Sequence, residues 1–189
     1  HEDEALPIPE RLSFEQAAAI PEVFLTADDA LFTLMGLRTR ESVLIHAAAS
    51  GVGTAALQLA RAIGAFTIGT SRSPEKLGRL HTYGLDHAID ASQKDFVDDV
   101  MRITGVGVNG VVDLVGGSYM RGNITWAALH GGIILVGLTA GQRADVDLSA
   151  VLRKRLTIRG TVMRARSLDE KIAVARPFAA RSLPLFPSG

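Results

Sequence analysis

The fold of this chain is decided by one stretch of sequence, Val43-Leu44-Ile45-His46-Ala47-Ala48-Ala49-Ser50-Gly51-Val52-Gly53-Thr54. It begins with an apolar run typical of a buried strand, continues with small residues and passes directly into a segment whose apolar residues have helical spacing. That spacing is carried by Val52, Ala55, Ala56, Leu59, Ala60 and Ile63. A strand, a turn of small residues and a helix in this order are typical of a turn that binds a dinucleotide, because the pyrophosphate lies against backbone N–H groups at the helix start.

Strands and helices continue to alternate after this turn. Apolar runs of strand type occur at Val43–Ile45, Phe66–Ile68, Ala88–Ile89, Val111–Leu114, Ile133–Val136 and Leu156–Ile158, with helical periodicity between most of them. Parallel neighbours in a sheet need long crossovers, which the helices provide. The pattern therefore predicts an α/β protein of the Rossmann type with a doubly wound, six-stranded parallel sheet.

Two helices are expected before the sheet and one after it. Ser13 and Gln16 have the spacing of a capping box at a helix start, and a second periodic segment runs from about Glu22 to Met35, where a glycine ends it. The last helix is predicted from about Ser167 to Ala180, with an interruption near its internal proline, Pro177. We accordingly expect residues 1–37 to form a helical lead-in and residues 38–189 to form the dinucleotide-binding domain.

The composition narrows the classes of function. Twenty basic and twenty acidic residues among 189 give a formal net charge of zero, which argues against nucleic acid as a partner. No apolar stretch approaches the roughly 20 residues that span a bilayer, and the start lacks a secretory signal, so we expect a cytoplasmic protein with no membrane partner. The chain has no cysteine and hence no thiolate metal site. It does not begin with methionine, and we expect it to be a fragment.

The end of the second predicted strand indicates which dinucleotide binds. An NAD site of this type places Asp or Glu about 20 residues beyond the glycine loop, but no acidic residue occurs from Ala65 to Pro74. The strand ends instead in Ser71 and Arg72, with Lys76 one turn into the next helix, and these side chains suit the 2′-phosphate of NADP. The alternative is that Ser73 only caps a helix and that the arginine lies in solvent.

No catalytic or metal-binding group is assigned from the residues alone. The histidines have no metal-ligand spacing and no paired nucleophile; they are His1, His46, His81, His87 and His130. His46 follows the first strand, and we expect it to make local hydrogen bonds rather than to contact a ligand. The basic run Arg153-Lys154-Arg155 is typical of a solvated helix end and receives no role.

Three segments together resemble the zeta-crystallin-like NADPH:quinone oxidoreductases, a zinc-independent group of the medium-chain dehydrogenase/reductase superfamily. These segments are Ala17–Thr26, Glu41–Leu59 and Gly69–Leu77. The resemblance implies a cofactor-binding domain joined to a GroES-like domain, before residue 1 and again after residue 189, with the substrate in the cleft between them. It places the proton-handling group in that other domain, so neither Tyr83 nor Tyr119 is assigned as an acid.

The resemblance also implies which residues contact NADPH. Thr26 would approach the nicotinamide amide. The 2′-phosphate would meet Ser71, Arg72 and Lys76. The pyrophosphate would lie along Ser50, Gly51, Val52, Gly53 and Thr54. Ribose and nicotinamide would be flanked by Val115, Gly116 and Gly117 after the fourth strand, and by Gly137, Leu138 and Thr139 after the fifth.

Three positions depart from the family pattern. Ser50 stands where the usual family loop has glycine. Asp90-Ala91 stands where many relatives carry Asn-Tyr, whose tyrosine helps to hold the adenosine phosphate. Glu22 occupies the place of a cysteine ligand in zinc-dependent relatives, which agrees with a zinc-independent enzyme.

The implied function is hydride transfer from NADPH to a quinone or a related conjugated carbonyl. Reduction of an enoyl group is one alternative. Another is that the chain by itself is a non-catalytic module that binds NADP and dimerises. The family implies a homodimer in which the sixth strand, here Leu156–Val162, pairs with its copy across a twofold axis.

Overall fold

The computed structural model describes residues 1–92 and 97–188 of the chain. Within these ranges one parallel sheet is formed by β1 (Ser42–Ile45), β2 (Phe66–Ser71), β3 (His87–Asp90), β4 (Val108–Asp113), β5 (Ala127–Leu135) and β6 (Thr157–Gly160). Their order is β3-β2-β1-β4-β5-β6, so the chain builds one half of the sheet outward from β1, then returns and builds the other. The predicted doubly wound, six-stranded parallel sheet is confirmed.

The fifth strand is longer than predicted. It begins at Ala127, well before the predicted start at Ile133. His130 adopts a left-handed backbone with φ of 64°, and the register between β4 and β5 shifts between Val108 and Gly110. This irregularity breaks the apolar pattern of the strand, which is why its first part was not predicted.

The helices that cover the sheet and precede it have the following bounds in the described ranges. They are α1 (Phe14–Ala18), α2 (Ile20–Asp28), α3 (Gly51–Ala62), α4 (Pro74–Leu80), α5 (Val97–Thr104), α6 (Tyr119–Trp126), α7 (Leu148–Lys154) and α8 (Leu168–Arg181). Short 3₁₀ turns lie at Glu2–Glu4, His81–Tyr83 and Leu183–Ser188.

Both predicted N-terminal helices are present. The Ser13 Oγ accepts a hydrogen bond from the Gln16 N–H at 3.3 Å, and Gln16 Oε1 accepts one from the Ser13 N–H at 2.9 Å, so the capping box is confirmed. The second helix begins earlier than expected, at Ile20, and beyond α2 it continues as a π-helical segment, Asp29–Leu34. Gly36 then takes a left-handed backbone (φ 70°), which ends it.

The predicted interruption of the last helix is wrong. Helix α8 runs unbroken through Pro177, although proline donates no hydrogen bond to the carbonyl of Ala173. Val174 and Ala175 before the proline and Phe178 after it are all buried. Burial of apolar side chains on both sides of the proline, together with the capping box at Ser167, holds the helix together across the lost hydrogen bond.

Apolar clusters cover both faces of the sheet. The first packs α2, α3 and α4 on one face, and its large members include Leu31, Val43, Ile45, Leu57, Leu59 and Leu77. The second packs α5 and α6 on the other face, and includes Leu44, Ile68, Val111, Ile124, Trp126 and Ile133. Successive residues of β1 belong to opposite clusters, as expected of a strand buried on both sides.

Two neighbouring buried carboxylates join α2 and its π-helical continuation to the C-terminal part of the chain. Asp28 accepts hydrogen bonds from Arg181 at 2.5 Å and from the hydroxyl of Ser182. Asp29 pairs with Arg166, also at 2.5 Å. Both carboxylates are almost fully buried, so their charges depend on these partners.

The first and last segments of the chain also lie together at the surface. Leu6 and Leu12 pack against a small apolar cluster that contains Phe178 and Leu183. Arg176 of α8 lies 3.3 Å from the carboxylate of Asp3. The two ends of the chain therefore share one side of the domain.

Lys154, in the basic run that received no role, has a structural function. Its ammonium donates hydrogen bonds to the carbonyls of Ile124, Thr125 and Ala127 at 3.0, 2.7 and 2.8 Å. These carbonyls end α6, where the partial negative charge of the helix favours a cation. The interpretation as a simple solvated helix end was wrong for this lysine, because it reaches across to a neighbouring helix.

Candidate functional site

A cleft of about 670 Å³ opens at the carboxyl ends of the strands. Its lining comes from the segments that end or follow β1 to β5: Ala47, Ala49, Ser50, Thr70, Ser71, Arg72, Ser73, Lys76, Ala91, Val115, Tyr119, Thr139 and Ala140. Open α/β sheets bind ligands at this edge, where the strand order reverses beside the first strand. The volume lies within the range of small-molecule and cofactor sites.

The turn between β1 and α3 forms the floor of the cleft. Ala47 has a left-handed backbone (φ 48°), which is uncommon for a residue with a Cβ. Ser50 caps α3 by accepting a hydrogen bond from the Gly53 N–H at 3.1 Å. The N-terminus of the twelve-residue helix α3 therefore lies at the cleft. The side chains beside it are the methyl groups of Ala47 and Ala49 and the hydroxyl of Ser50.

The two glycines of the loop are required by packing. A Cβ on Gly53 would lie 2.6 Å from the carbonyl oxygen of Ala47, and one on Gly51 would lie 2.9 Å from Cγ1 of Val23. The turn can therefore fold back against α3, and α2 can approach it closely, only because both side chains are absent. Gly51, Val52, Gly53 and Thr54 form the first turn of α3 but contribute no side chain to the described lining.

Polar and cationic side chains gather where β2 ends. Ser71, Arg72 and Lys76 line the cleft as a group. Arg72 and Lys76 are exposed, and neither forms an ion pair with another residue of the described ranges. No acidic residue is among the described residues that line the cleft. Ser73 does cap α4, by accepting from the Lys76 N–H at 3.4 Å, so the capping role and the cationic rim exist together.

Beneath the cleft lies a chain of buried hydrogen bonds that we call the buried relay: Thr70, His46, Asn123 and Asp113. The Nδ1 of His46 is 2.9 Å from the Thr70 hydroxyl, and its Nε2 is 2.8 Å from Oδ1 of Asn123. Asn123 donates its amide N–H to Asp113 at 2.7 Å. Because the amide oxygen then faces the imidazole, Nε2 carries the proton and Nδ1 accepts from the threonine.

The buried relay ends on the loop that follows β4. Oδ1 of Asp113 accepts the backbone N–H groups of Val115 and Gly116, each at 2.8 Å. Burial lowers the pKa of His46, while Asp113 and Asn123 act in the opposite direction. A neutral imidazole matches the donor and acceptor pattern of the relay, and the expectation that His46 makes local hydrogen bonds agrees with it.

The remaining predicted site residues lie around the β4 and β5 ends. Val115 and Thr139 line the cleft. Gly116, Gly117 and Gly137 bring their loops into close contact, since a Cβ on any of them would meet backbone at 3.1 Å or less. The side chain of Leu138 is half exposed, at 50%.

Thr26 stands apart from the other predicted residues. It lies on α2, donates its hydroxyl to the carbonyl of Glu22 at 2.8 Å, and is not among the described residues that line the cleft.

Seven lining residues are not among the individually predicted cofactor contacts: Ala47, Ala49, Thr70, Ser73, Ala91, Tyr119 and Ala140. Ala47 and Ala49 belong to the predicted dinucleotide turn, and the others except Tyr119 lie within two residues of a predicted strand end or next to a predicted contact. Tyr119 could not be predicted in this way, because it opens a helix after β4 and reaches the β2 side of the cleft through the fold.

Neither a metal cluster nor a membrane span was found in the described part of the chain. Residues 1–92 and 97–188 contain no group of three or more His, Asp or Glu side chains arranged to hold a metal ion. None of their helices combines the length and the apolar character needed to cross a bilayer.

Comparison with known proteins links this cleft to a family. The family model described as zinc-binding dehydrogenase matches residues 51–179. The chain is 36% identical over 142 residues to the synaptic vesicle membrane protein VAT-1 homolog of Danio rerio, covering 74% of this chain and 29% of that protein. It is 42% identical over 135 residues to the highly reducing polyketide synthase ZEA2 of Gibberella zeae, covering 69% of this chain and 6% of that protein.

Solved structures share the fold across nearly the whole chain. A quinone oxidoreductase of Pseudomonas syringae superposes with a TM-score of 0.80 at 28% identity, covering 98% of this chain and 58% of that one. The CurF ER cyclopropanase of curacin A biosynthesis gives 0.84 at 29% identity, with coverages of 99% and 55%. A mycobacterial protein solved with NADPH gives 0.78 at 27% identity, with coverages of 95% and 54%. The chain thus spans about half the length of these structures.

Proposed function

Because the chain belongs to the zinc-binding dehydrogenase family, as a nicotinamide cofactor-binding domain, we propose that its cofactor is NADPH. We further propose that it serves a zinc-independent, zeta-crystallin-like reductase that delivers hydride to quinones or related conjugated carbonyls. A GroES-like domain would complete the substrate cleft.

The observation that carries the cofactor proposal is the charge at the end of β2. Arg72 and Lys76 present two cations to the cleft, Ser71 adds a hydroxyl, and no described lining residue is acidic. A 2′-phosphate carries about two negative charges at neutral pH and gains from each cation, whereas the ribose hydroxyls of NADH prefer a carboxylate acceptor. The similarity to a protein solved with NADPH supports the same choice.

The residues of this chain bind and orient the cofactor, whose nicotinamide supplies the hydride when bound. The start of α3, capped by Ser50, receives the pyrophosphate in its field. Val115 and Thr139 line the side of the cleft at β4 and β5, and the buried relay fixes the backbone of the first of these loops. We assign no proton donor to this chain.

Calorimetry with NADPH and NADH tests the cofactor proposal. The unmodified chain should bind NADPH at least 10-fold more tightly, and the double variant Arg72→Ala, Lys76→Ala should lose that preference, since each charge-assisted contact contributes about 1.5–3 kcal/mol. Arg79→Ala is the matched control, because it removes a cation from the same helix outside the cleft. An unchanged preference in the double variant would overturn the proposal.

Enoyl reduction is the second candidate reaction. It is favoured by the 42% identity to a highly reducing polyketide synthase and by the likeness to the ER cyclopropanase. Assays of the full-length protein with a para-quinone and with an α,β-unsaturated thioester separate the two. A higher kcat/KM for the thioester would replace the quinone proposal with this one.

We also propose a homodimer formed through β6. This edge strand is exposed at all its positions, from Thr157 to Gly160. Ile158 within it and Val162 just after it expose apolar side chains. An exposed apolar edge pairs readily with another strand. Analytical ultracentrifugation should show a dimer that Ile158→Lys dissociates and that the exposed control Val106→Lys does not; a monomeric unmodified chain at high concentration would refute it.

A further inference from the structure

The wall of the cleft at the start of α6 is formed by an aromatic side chain to which no role has been given. Tyr119 is the only aromatic residue among the described residues that line the cleft, and it shares that lining with Ser71, Arg72 and Lys76. It is the first residue of α6, half-buried, with its backbone N–H bonded to the carbonyl of Gly116 at 3.1 Å. Its backbone is therefore fixed to the loop that follows β4.

The ring of Tyr119 is supported from behind. The imidazole of His46 meets it edge to face, with centroids 4.8 Å apart and an interplanar angle of 87°. His46 is itself fully buried and held at both ring nitrogens by the buried relay. A phenol supported in this way loses little conformational entropy when it meets a ligand, which favours a binding role.

The hydroxyl of Tyr119 is a proton donor at neutral pH. Burial raises the pKa of this phenol, Arg72 opposes the shift and Asp113 adds to it. Tyr119 lines the same cleft as Arg72 and Lys76, although it follows β4 and they follow β2. Ala91, which lines the cleft next to β3, brings no polar side chain to it.

We propose that Tyr119 is a cofactor-specificity residue, whose hydroxyl donates a hydrogen bond to the 2′-phosphate of NADPH held by Arg72 and Lys76. This inference rests on the proposed binding of NADPH. A phosphate oxygen accepts from a neutral O–H in a charge-assisted hydrogen bond. NADH has a ribose hydroxyl in place of the 2′-phosphate, so the Tyr119 hydroxyl adds little to its binding.

The substitution Tyr119→Phe tests this role, because it removes the hydroxyl and keeps the ring against His46. We expect NADPH to bind about 10-fold more weakly by calorimetry, with the affinity for NADH unchanged. Adenosine 2′,5′-bisphosphate should show the same loss, and adenosine 5′-monophosphate should show none. Tyr83→Phe is the matched control, since the other tyrosine of the chain lies outside the cleft and is 44% exposed.

The outcomes separate this inference from the proposal on which it rests. If the unmodified chain prefers NADPH and Arg72→Ala with Lys76→Ala abolishes that preference, but Tyr119→Phe changes nothing, then the role of Tyr119 alone is refuted. If Tyr119→Phe weakens the binding of NADPH and NADH equally, the hydroxyl does not discriminate between the two cofactors, and the inference is again refuted. If the unmodified chain does not bind NADPH, the proposed cofactor and the proposed role of Tyr119 are both refuted.

Discussion

The Nε2 of His46 lies 2.8 Å from the Oδ1 of Asn123, although the two residues are 77 positions apart in the sequence. Both are fully buried, and the contact joins the residue that directly follows β1 to helix α6, beyond β4. One amide therefore links the two halves of the sheet beneath the cleft, because its other end holds Asp113.

Replacing this amide should cost substantial stability. Asn123→Ala leaves the N–H of His46 and one carboxylate oxygen of Asp113 buried without a partner, and we expect the free energy of unfolding in urea to fall by about 3 kcal/mol. Asn109→Ala is the control, because its amide accepts from Ser42 at an exposed site and should cost about 1 kcal/mol. Equal losses in the two variants would show that the relay does not stabilise the fold.

Stability should fall as the pH drops through the ordinary range of histidine. Burial lowers the pKa of His46 in the folded chain, with Asp113 and the phenol of Tyr119 as neighbouring titratable groups. Below about pH 6.5 the unfolded chain then takes up a proton that the folded chain does not, so the contribution of this group is present above that pH and is lost below it.

The slope of the free energy of unfolding against pH measures this effect. Between about pH 7.5 and 5.5 the free energy of unfolding should fall by at most about 1.4 kcal/mol per pH unit from this group. In His46→Gln, which keeps a donor and an acceptor but does not titrate, the slope should be shallower. His130→Asn, at an exposed position with a left-handed backbone, should keep the original slope; identical slopes in all three proteins would contradict the assignment.

A single methyl group should damage the phosphate turn. In Gly53→Ala the new Cβ would lie 2.6 Å from the carbonyl of Ala47, so the turn must shift. We expect a loss of about 1–3 kcal/mol in urea unfolding, together with weaker NADPH binding. Gly78→Ala, in the exposed face of α4 with open space around it, should instead add about 0.5–1 kcal/mol and leave binding unchanged.

The buried charge of Asp28 should depend on Arg181. Arg181→Met leaves Ser182 as the side-chain partner of this carboxylate among the described residues. Because the Arg181 side chain is 38% exposed, we expect the free energy of unfolding to fall by about 2–3 kcal/mol, less than for a deeply buried pair. Adding Asp28→Leu should recover most of it. Arg79→Met, which breaks an exposed pair with Glu75, should cost less than about 0.5 kcal/mol in thermal or urea unfolding.

Local patterns were sufficient to predict the sheet and its first turn. The apolar run before Ala47 and the helical spacing after Gly51 depend on neighbouring residues, and so does the capping box at Ser13. Each of these features depends only on residues that are close in the sequence, so local sequence patterns are sufficient to predict it.

The parts that escaped prediction depend on contacts between distant segments. Helix α8 survives its proline because Phe178 is buried against the N-terminal segment. Lys154 caps a helix some 30 positions earlier, at Ile124. Tyr119 reaches the cationic end of the cleft only after the sheet brings β2 and β4 to either side of β1. None of these partners can be read from spacing along the chain.

The pairing of Asp3 with Arg176 at 3.3 Å bears on how this domain could be carried by a larger polypeptide. Since the first and last segments share one side of the fold, chains fused to either end would leave from that same side. A host protein could therefore accept the domain at a single surface loop with short connections.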